Sequence, residues 1–157
     1  MLPALEETLL PAQHPLLQEV LELDELWSFV QQRRNKRWVW FALCRRTRQV
    51  LAYAIGPRDD ATCRVLWSRI PARYRFGRLY TDFWESYANE LPVGQHWPVG
   101  KEQGETNHIE RFNLTLRQRL ARFVRKTLSF SKCDVMHELC LRLFLHDYNL
   151  QCANNYS

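Results

Sequence analysis

The chain has 157 residues, with 22 Lys and Arg against 17 Asp and Glu, a formal net charge of +5. With 46% hydrophobic and 25% charged residues it has the composition of one packed globular domain of ordinary size, which excludes general disorder. No apolar run approaches the roughly 20 residues that a membrane-spanning helix needs. The Leu- and Pro-rich start carries Glu6, Glu7 and Glu19 and no basic leader, so it is not a secretory signal.

Residues 1–19 contain Pro3, Pro11 and Pro15 without a sustained period and are expected to form a loose N-terminal arm ahead of a domain over 20–157. Val20 to Val30 (VLELDELWSFV) predicts the first strand, and Gln31 to Lys36 a polar turn. Arg37 to Cys44 (RWVWFALC) is almost continuously apolar, as a central strand covered on both faces must be. Val50 to Ile55 completes an antiparallel meander. After the Gly56–Pro57 break, Asp59 or Asp60 is placed to cap a helix through Ala61–Ile70, which Pro71 ends. Arg78 to Asp82 is the next strand, Trp84–Leu91 a short helix and His96–Val99 a short fifth strand.

A long helix follows from about Thr106 to Val124, because Ile109, Phe112, Leu116, Leu120 and Phe123 recur at helical spacing, and its opposite face holds arginines. The last helix, from about Lys132 to Leu150, is expected to bury a stripe of Val135, Leu139, Leu143 and Leu150. The order β-β-β-α-β-α-β-α predicts an α/β fold of the ribonuclease H-like kind: a mixed sheet, with a three-strand antiparallel meander extended by parallel strands and flanked by helices.

Five scattered cysteines without a C-x-x-C pair read as reduced thiols, not as a disulfide framework or zinc site. His137–Glu138 begins a zincin-like motif that fails because Leu141 stands where the second histidine is required. Charge is more informative. Between Thr106 and Lys132 the seven basic residues Arg111, Arg117, Arg119, Arg122, Arg125, Lys126 and Lys132 face one acid, Glu110, so this stretch holds more than the chain's whole surplus. Such a concentration reads either as a polyanion-binding face or as a solvated basic helix without a partner.

Three acids stand out against this background. Asp24 interrupts an apolar strand, Asp82 ends another, and Glu110 sits at the edge of the apolar stripe near the start of the basic helix. Each has an ordinary explanation: a buried arginine partner for Asp24, a cap of the next helix for Asp82, a helix-face pair for Glu110. Converging on one sheet edge, they would instead form a hard oxygen site for Mg2+ or Mn2+. Two such ions about 3.5–4 Å apart serve in-line displacement at phosphorus. Glu85 and Glu105 are alternative third acids, Trp84 is the one tryptophan suspected of lining the site, and His108 and His146 are not expected to be ligands.

The segments LELDELWSFV (21–30), YTDFWESY (80–87) and above all NHIERFNLTLRQRLARFVRKTLSFSK (107–132) resemble the catalytic region of the insertion sequence 1 family of DDE transposases, over roughly residues 20–150. The resemblance implies that Asp24, Asp82 and Glu110 are the catalytic, metal-holding triad for two divalent ions, Mg2+ or Mn2+. It also implies that Asn107, Arg111, Asn113 and Arg117 contact DNA or hold the glutamate in place, with Arg122, Arg125 and Lys126 continuing the basic track. The implied activity is cleavage at the element's end followed by strand transfer into target DNA. The implied partners are element ends, target DNA and further copies of the chain, at the nucleoid in the cytoplasm of a prokaryote. Family members are joined by a programmed frameshift to an upstream zinc-binding and helix-turn-helix segment. No such ligand set is found in this sequence, so terminal-repeat recognition is expected to lie outside the chain. Two other functions are open on the residues: a non-catalytic DNA-binding partial frame, and a structure-selective nuclease of the same fold.

Overall fold

A computed structural model describes residues 3–29, 36–126 and 134–156. Most of the turn expected over 31–36, together with Lys132 and Cys133, falls outside the described residues. Five strands form one sheet: β1 (Val20–Phe29), β2 (Lys36–Cys44), β3 (Val50–Gly56), β4 (Arg78–Thr81) and β5 (His96–Pro98). Their spatial order is β3-β2-β1-β4-β5. β1, β2 and β3 are an antiparallel meander, and β4 and β5 add in parallel beyond β1. The helices are α1 (Asp60–Arg69), α2 (Glu85–Glu90), α3 (Asn107–Lys126) and α4 (Asp134–Asn155). This is the expected ribonuclease H-like α/β arrangement. No helix among the described residues is long and apolar enough to cross a membrane.

The strand alternation explains the two layers. Leu21 and Leu23 of β1, with Trp40, Ala42 and Cys44 of β2, face α1 and α2, where Cys63, Leu66, Ile70, Tyr87 and Leu91 complete one core. Leu26, Val39, Phe41 and Leu43 face the other way, against Ile109, Phe112 and Leu116 of α3 and Leu141 and Leu145 of α4. The continuous apolar run of β2 is thus buried on both faces. At the start of β4, a Cβ on Gly77 would lie 1.9 Å from the Glu19 carbonyl oxygen, so only glycine lets the chain approach closely enough for Arg78 N–H to bond that oxygen at 2.9 Å. Asp59 is the cap of α1, its Oδ1 accepting from the N–H of Thr62 at 3.0 Å.

The rotation of α4 differs from the expected one. Val135, Leu139, Leu143 and Leu150 are 75%, 38%, 44% and 52% exposed, while Leu141 and Leu145 are buried. The helix is apolar on more than one side, so its own periodicity does not select a buried face. The selection is polar and aromatic. The fully buried Asn149 pairs with the backbone of Val50, accepting from its N–H at 2.8 Å and donating to its C=O at 2.9 Å. Phe144 and Tyr148 pack on Phe112 with ring centroids 6.4 and 5.0 Å away. Asn149 also donates to Thr8 Oγ1 at 3.0 Å. Residues 3–19, expected as a loose arm, contain two short 3-10 turns and are held at Leu10 by Gln49 and Tyr74 and at Pro11 by Arg46. Among the described residues, Cys44, Cys63, Cys140 and Cys152 are free thiols.

One buried carboxylate fixes α3 to the sheet. Glu22 lies on the same face of β1 as Asp24, and its Oε1 accepts from the backbone N–H of His108 and Ile109 at 3.0 and 3.1 Å. Its Oε2 accepts from His108 Nδ1–H at 2.8 Å and Arg45 Nε–H at 3.0 Å. The first turn of α3 thus finds an acceptor for two otherwise unpaired donors, and its positive end faces a negative charge. Arg45 extends the link by donating to the Glu105 carbonyl and carboxylate at 2.6 and 3.1 Å. Glu22→Ala should destabilise the domain by about 2–3 kcal/mol, toward the low end for a broken buried pair because Arg45 keeps 28% of its side chain in water. Denaturant unfolding checks this, with Glu22→Gln expected to lose less because its carbonyl still accepts from α3.

Candidate active site

In β1 the acids Asp24 and Glu25 are consecutive, so the pleat sends them to opposite faces of the sheet. The parallel register pairs Glu22 with Tyr80, and carried two residues further it sets Asp82, just past the end of β4, beside Asp24. Here the two faces meet at the strand ends. Asp24, Glu25 and Asp82 each present a carboxylate oxygen, all within 4.8 Å of one another. Glu110, on the first turn of α3, is not in this tight group. It stands on the helix wall of the same cleft, a cavity of about 400 Å³ that also includes Trp38, Arg58, Lys101, Asn113 and Arg117.

Each carboxylate is held differently. Asp24 Oδ1 accepts from the Glu25 N–H and Oδ2 from Asn113 Nδ2–H, both at 2.9 Å. Burial pushes its pKa up to about 7, with the neighbouring charges of Glu25, Asp82 and Glu110 adding to the rise. Asp82 Oδ1 accepts from the Trp84 N–H at 2.9 Å, but Trp84 is itself the cap residue of α2 and no side chain caps that helix, so the alternative of Asp82 as a helix cap does not hold. Glu25 is buried between Arg58, whose Nε–H donates at 3.0 Å, and the Tyr87 hydroxyl. Burial raises its pKa despite both hydrogen bonds. Glu110 Oε1 has a long 3.4 Å contact with the Thr106 hydroxyl.

The other expected residues are distributed around this cleft. Asn113 is buried and holds Asp24, so its place is behind the acid, not on an exposed surface. Its Oδ1 is buried without a partner among the described residues. Arg117 is exposed and lines the cleft. Asn107 and Arg111 are exposed on α3 but do not line it. Arg122, Arg125 and Lys126 lie on the last turns of α3, where side chains fall outside the described residues. Glu105 is taken up by Arg45 and Glu85 is exposed on α2. Neither lines the cleft. His108 serves Glu22, and His146 is buried away from the acids. Trp38, not Trp84, lines the cleft, while Trp84 lies under Arg58.

Sequence reasoning passed over Glu25, Arg58 and Lys101. For Glu25 a signal existed: a second acid beside Asp24 in a strand otherwise apolar. For Arg58 and Lys101 there was none, since single basic residues in short loops carry no pattern. The donor set of Asp24, Glu25 and Asp82 is all oxygen and suits a hard divalent cation.

A stability prediction follows for protein kept free of divalent ions. Unfolded, the Asp24 carboxyl titrates near 3.8, and folded near 7, so the native state keeps the proton longer and this group's contribution falls as pH rises from about 4 to about 7. Asp24→Asn removes that loss. In denaturant titrations with a chelator present, the variant should gain on the wild-type protein by on the order of 2–4 kcal/mol between pH 4 and pH 8.

The sequence profile of the IS1 transposase family matches residues 19–151, from the start of β1 through most of α4. The InsB protein of insertion element iso-IS1n from Shigella dysenteriae is 42% identical over 129 residues, covering 82% of this chain and 95% of that protein. The IS1 protein InsB of Shigella flexneri is 38% identical over 125 residues, 80% of this chain and 92% of that one. The IS1 4 protein InsB of Escherichia coli K12 is 36% identical over 125 residues, 80% and 72% of the two chains. The match runs through both strands and the helix that wall the acid-lined cleft, and the chain belongs to the IS1 transposase family.

Proposed function

We propose that this transposase cuts DNA at the ends of an insertion sequence and joins them to target DNA by metal-dependent phosphoryl transfer, with Asp24, Asp82 and Glu110 as its catalytic triad. The observation that carries the reading is the parallel pairing of β1 and β4, which sets Asp24 beside Asp82 at one sheet edge, under the helix wall that bears Glu110. The oxygen-only group of Asp24, Glu25 and Asp82 supports Mg2+ or Mn2+ held at Asp24 and Asp82, and in this reading Glu110, which lines the same cleft, completes the set. When bound, such ions neutralise the acids and polarise the phosphoryl centre.

The chain's own residues do the positioning. Asn113 fixes the orientation of Asp24, the Trp84 N–H that of Asp82, and Glu22 the helix that carries Glu110. Arg117 at the cleft mouth begins a basic track along α3 that Arg122, Arg125 and Lys126 continue, and Asn107 and Arg111 flank it. In this reading residues 20–157 are the catalytic unit. Several copies assemble on the element ends and target DNA at the nucleoid, and an upstream zinc-binding and helix-turn-helix segment joined by frameshifting reads the terminal repeats.

The test is cleavage and joining on a pre-nicked element end with Mg2+ or Mn2+. Asp24→Asn, Asp82→Asn and Glu110→Gln should each lower the rate by at least about 10²-fold, the scale of losing one preorganised electrostatic group. Wild-type rates in any of the three would remove that residue from the triad. Absence of joined product alongside normal nicking would favour a nuclease. Arg117→Ala should leave the chemistry and weaken DNA binding, reducing the slope of log affinity against log salt by about one.

A further inference from the structure

Arg58 is the feature of this cleft that the triad does not use. It lies on the three-residue loop between β3, whose last residue Gly56 pairs with Trp38, and α1, which Asp59 caps. β3 runs in the same direction as β1, so this loop emerges at the same sheet edge as Asp24 and Asp82. Both ends of the loop are fixed by hydrogen bonds, and Asp59 N–H also bonds the Pro57 carbonyl at 3.0 Å. Arg58 is therefore delivered to the cleft by rigid backbone.

Its guanidinium is held on three sides. Nε and Nη2 lie 3.0 and 2.9 Å from Glu25 Oε1. The Trp84 ring lies 3.9 Å below its central carbon, and the Trp38 ring 5.1 Å away. A guanidinium has five N–H donors; Glu25 accepts a hydrogen bond from Nε–H and is ion-paired with Nη2 through the same oxygen. Nη1 and Nη2 donate no hydrogen bond to a protein acceptor among the described residues, although the side chain lines the cleft and is 35% exposed. Neutralising Glu25 needs only a positive charge nearby. Stacking the cation on tryptophan and pinning one edge of its fork leaves the other edge pre-set for the oxygens of a phosphate, the arrangement in which arginine differs from lysine.

We propose that Arg58 is a phosphate clamp of the active site, its free guanidinium edge donating to a non-bridging oxygen of the phosphodiester that the acids act upon. Glu25 is assigned as its positioning residue, with Oε1 held by Arg58 and the other oxygen by the Tyr87 hydroxyl. The clamp supplies hydrogen-bonding positive charge beside Asp24 and Asp82, in a cleft whose other cations are Lys101 and Arg117. The inference rests on the phosphoryl-transfer reading given above.

The experiment uses the full chain with a mixed-sequence duplex carrying a nick, in single turnover with Mn2+, and measures binding of the same duplex in Ca2+ by anisotropy. Arg58→Ala should lower the rate by about 10²-fold with affinity changed by less than about threefold. Arg58→Lys, which keeps the charge and loses the fork, should recover less than about a tenth of the wild-type rate. Glu25→Gln should slow the reaction while leaving the Mn2+ concentration at half-maximal rate unchanged within about twofold. A rise of about tenfold or more in that concentration would make Glu25 a metal ligand and overturn its assigned role. Wild-type rates in Arg58→Lys or Arg58→Ala would overturn the clamp. A measurement independent of turnover is the Arg58 Nε–H signal in a nitrogen-15 spectrum. It should shift when the duplex is added in Ca2+, and an unmoved signal would also overturn the clamp. Wild-type turnover no better than that of Asp24→Asn would instead sink the phosphoryl-transfer reading beneath it.

Discussion

The buried carboxylate of Glu22 is the joint on which the rest of this molecule is assembled. Four donors converge on it: two backbone N–H groups of α3, the His108 ring and the Arg45 guanidinium. Charge-assisted bonds of this kind are stronger than neutral ones, and the orientation of the helix end adds to them. Because Asp24 is two residues along the strand from Glu22 and Glu110 is the residue after Ile109 on the helix, one contact sets the distance between two walls of the cleft. The apolar stripe of Ile109, Phe112 and Leu116 then closes α3 on the sheet, but a non-directional stripe alone would allow it to slide.

With the walls set, the cleft is a concentration of unfavourable terms. Three acids meet at the strand ends, partly buried, and the pKa of Asp24 rises in consequence. The surrounding structure offsets this locally. Arg58 and Tyr87 take Glu25, Asn113 takes one oxygen of Asp24, and the start of α2 takes one of Asp82. What remains uncompensated is the side of Asp24 and Asp82 that opens on the cleft. A fold whose cores are well packed on both faces of the sheet thus carries its local conflict where chemistry is proposed, as functional sites commonly do.

Much of this was readable in the residues. The continuous apolar run of β2, the meander, the Pro71 stop and the stripe of α3 are strong local signals, and they produce the observed strand order once parallel addition of β4 is assumed. Asp24 was visible because it interrupts an apolar strand, and Asp82 because it ends one. Glu22 was not recognised, since it occupies an alternating strand position where an acid reads as solvent-facing, and its partners lie 86 and 87 positions away. The rotation of α4 was misjudged for a related reason. Two of its sides are apolar, and the pairing that decides between them, Asn149 with Val50, spans 99 positions. Non-local polar contacts leave no period in a sequence.

The central claim is that Asp24 and Asp82 are a divalent-metal site facing Glu110, and crystals soaked in Mn2+ test it most directly through the ion's anomalous scattering. The account predicts a peak at coordinating distance, about 2.0–2.3 Å, from carboxylate oxygens of both Asp24 and Asp82, lost in Asp24→Asn. A peak held by other residues, or no peak in the cleft at saturating Mn2+, would contradict it.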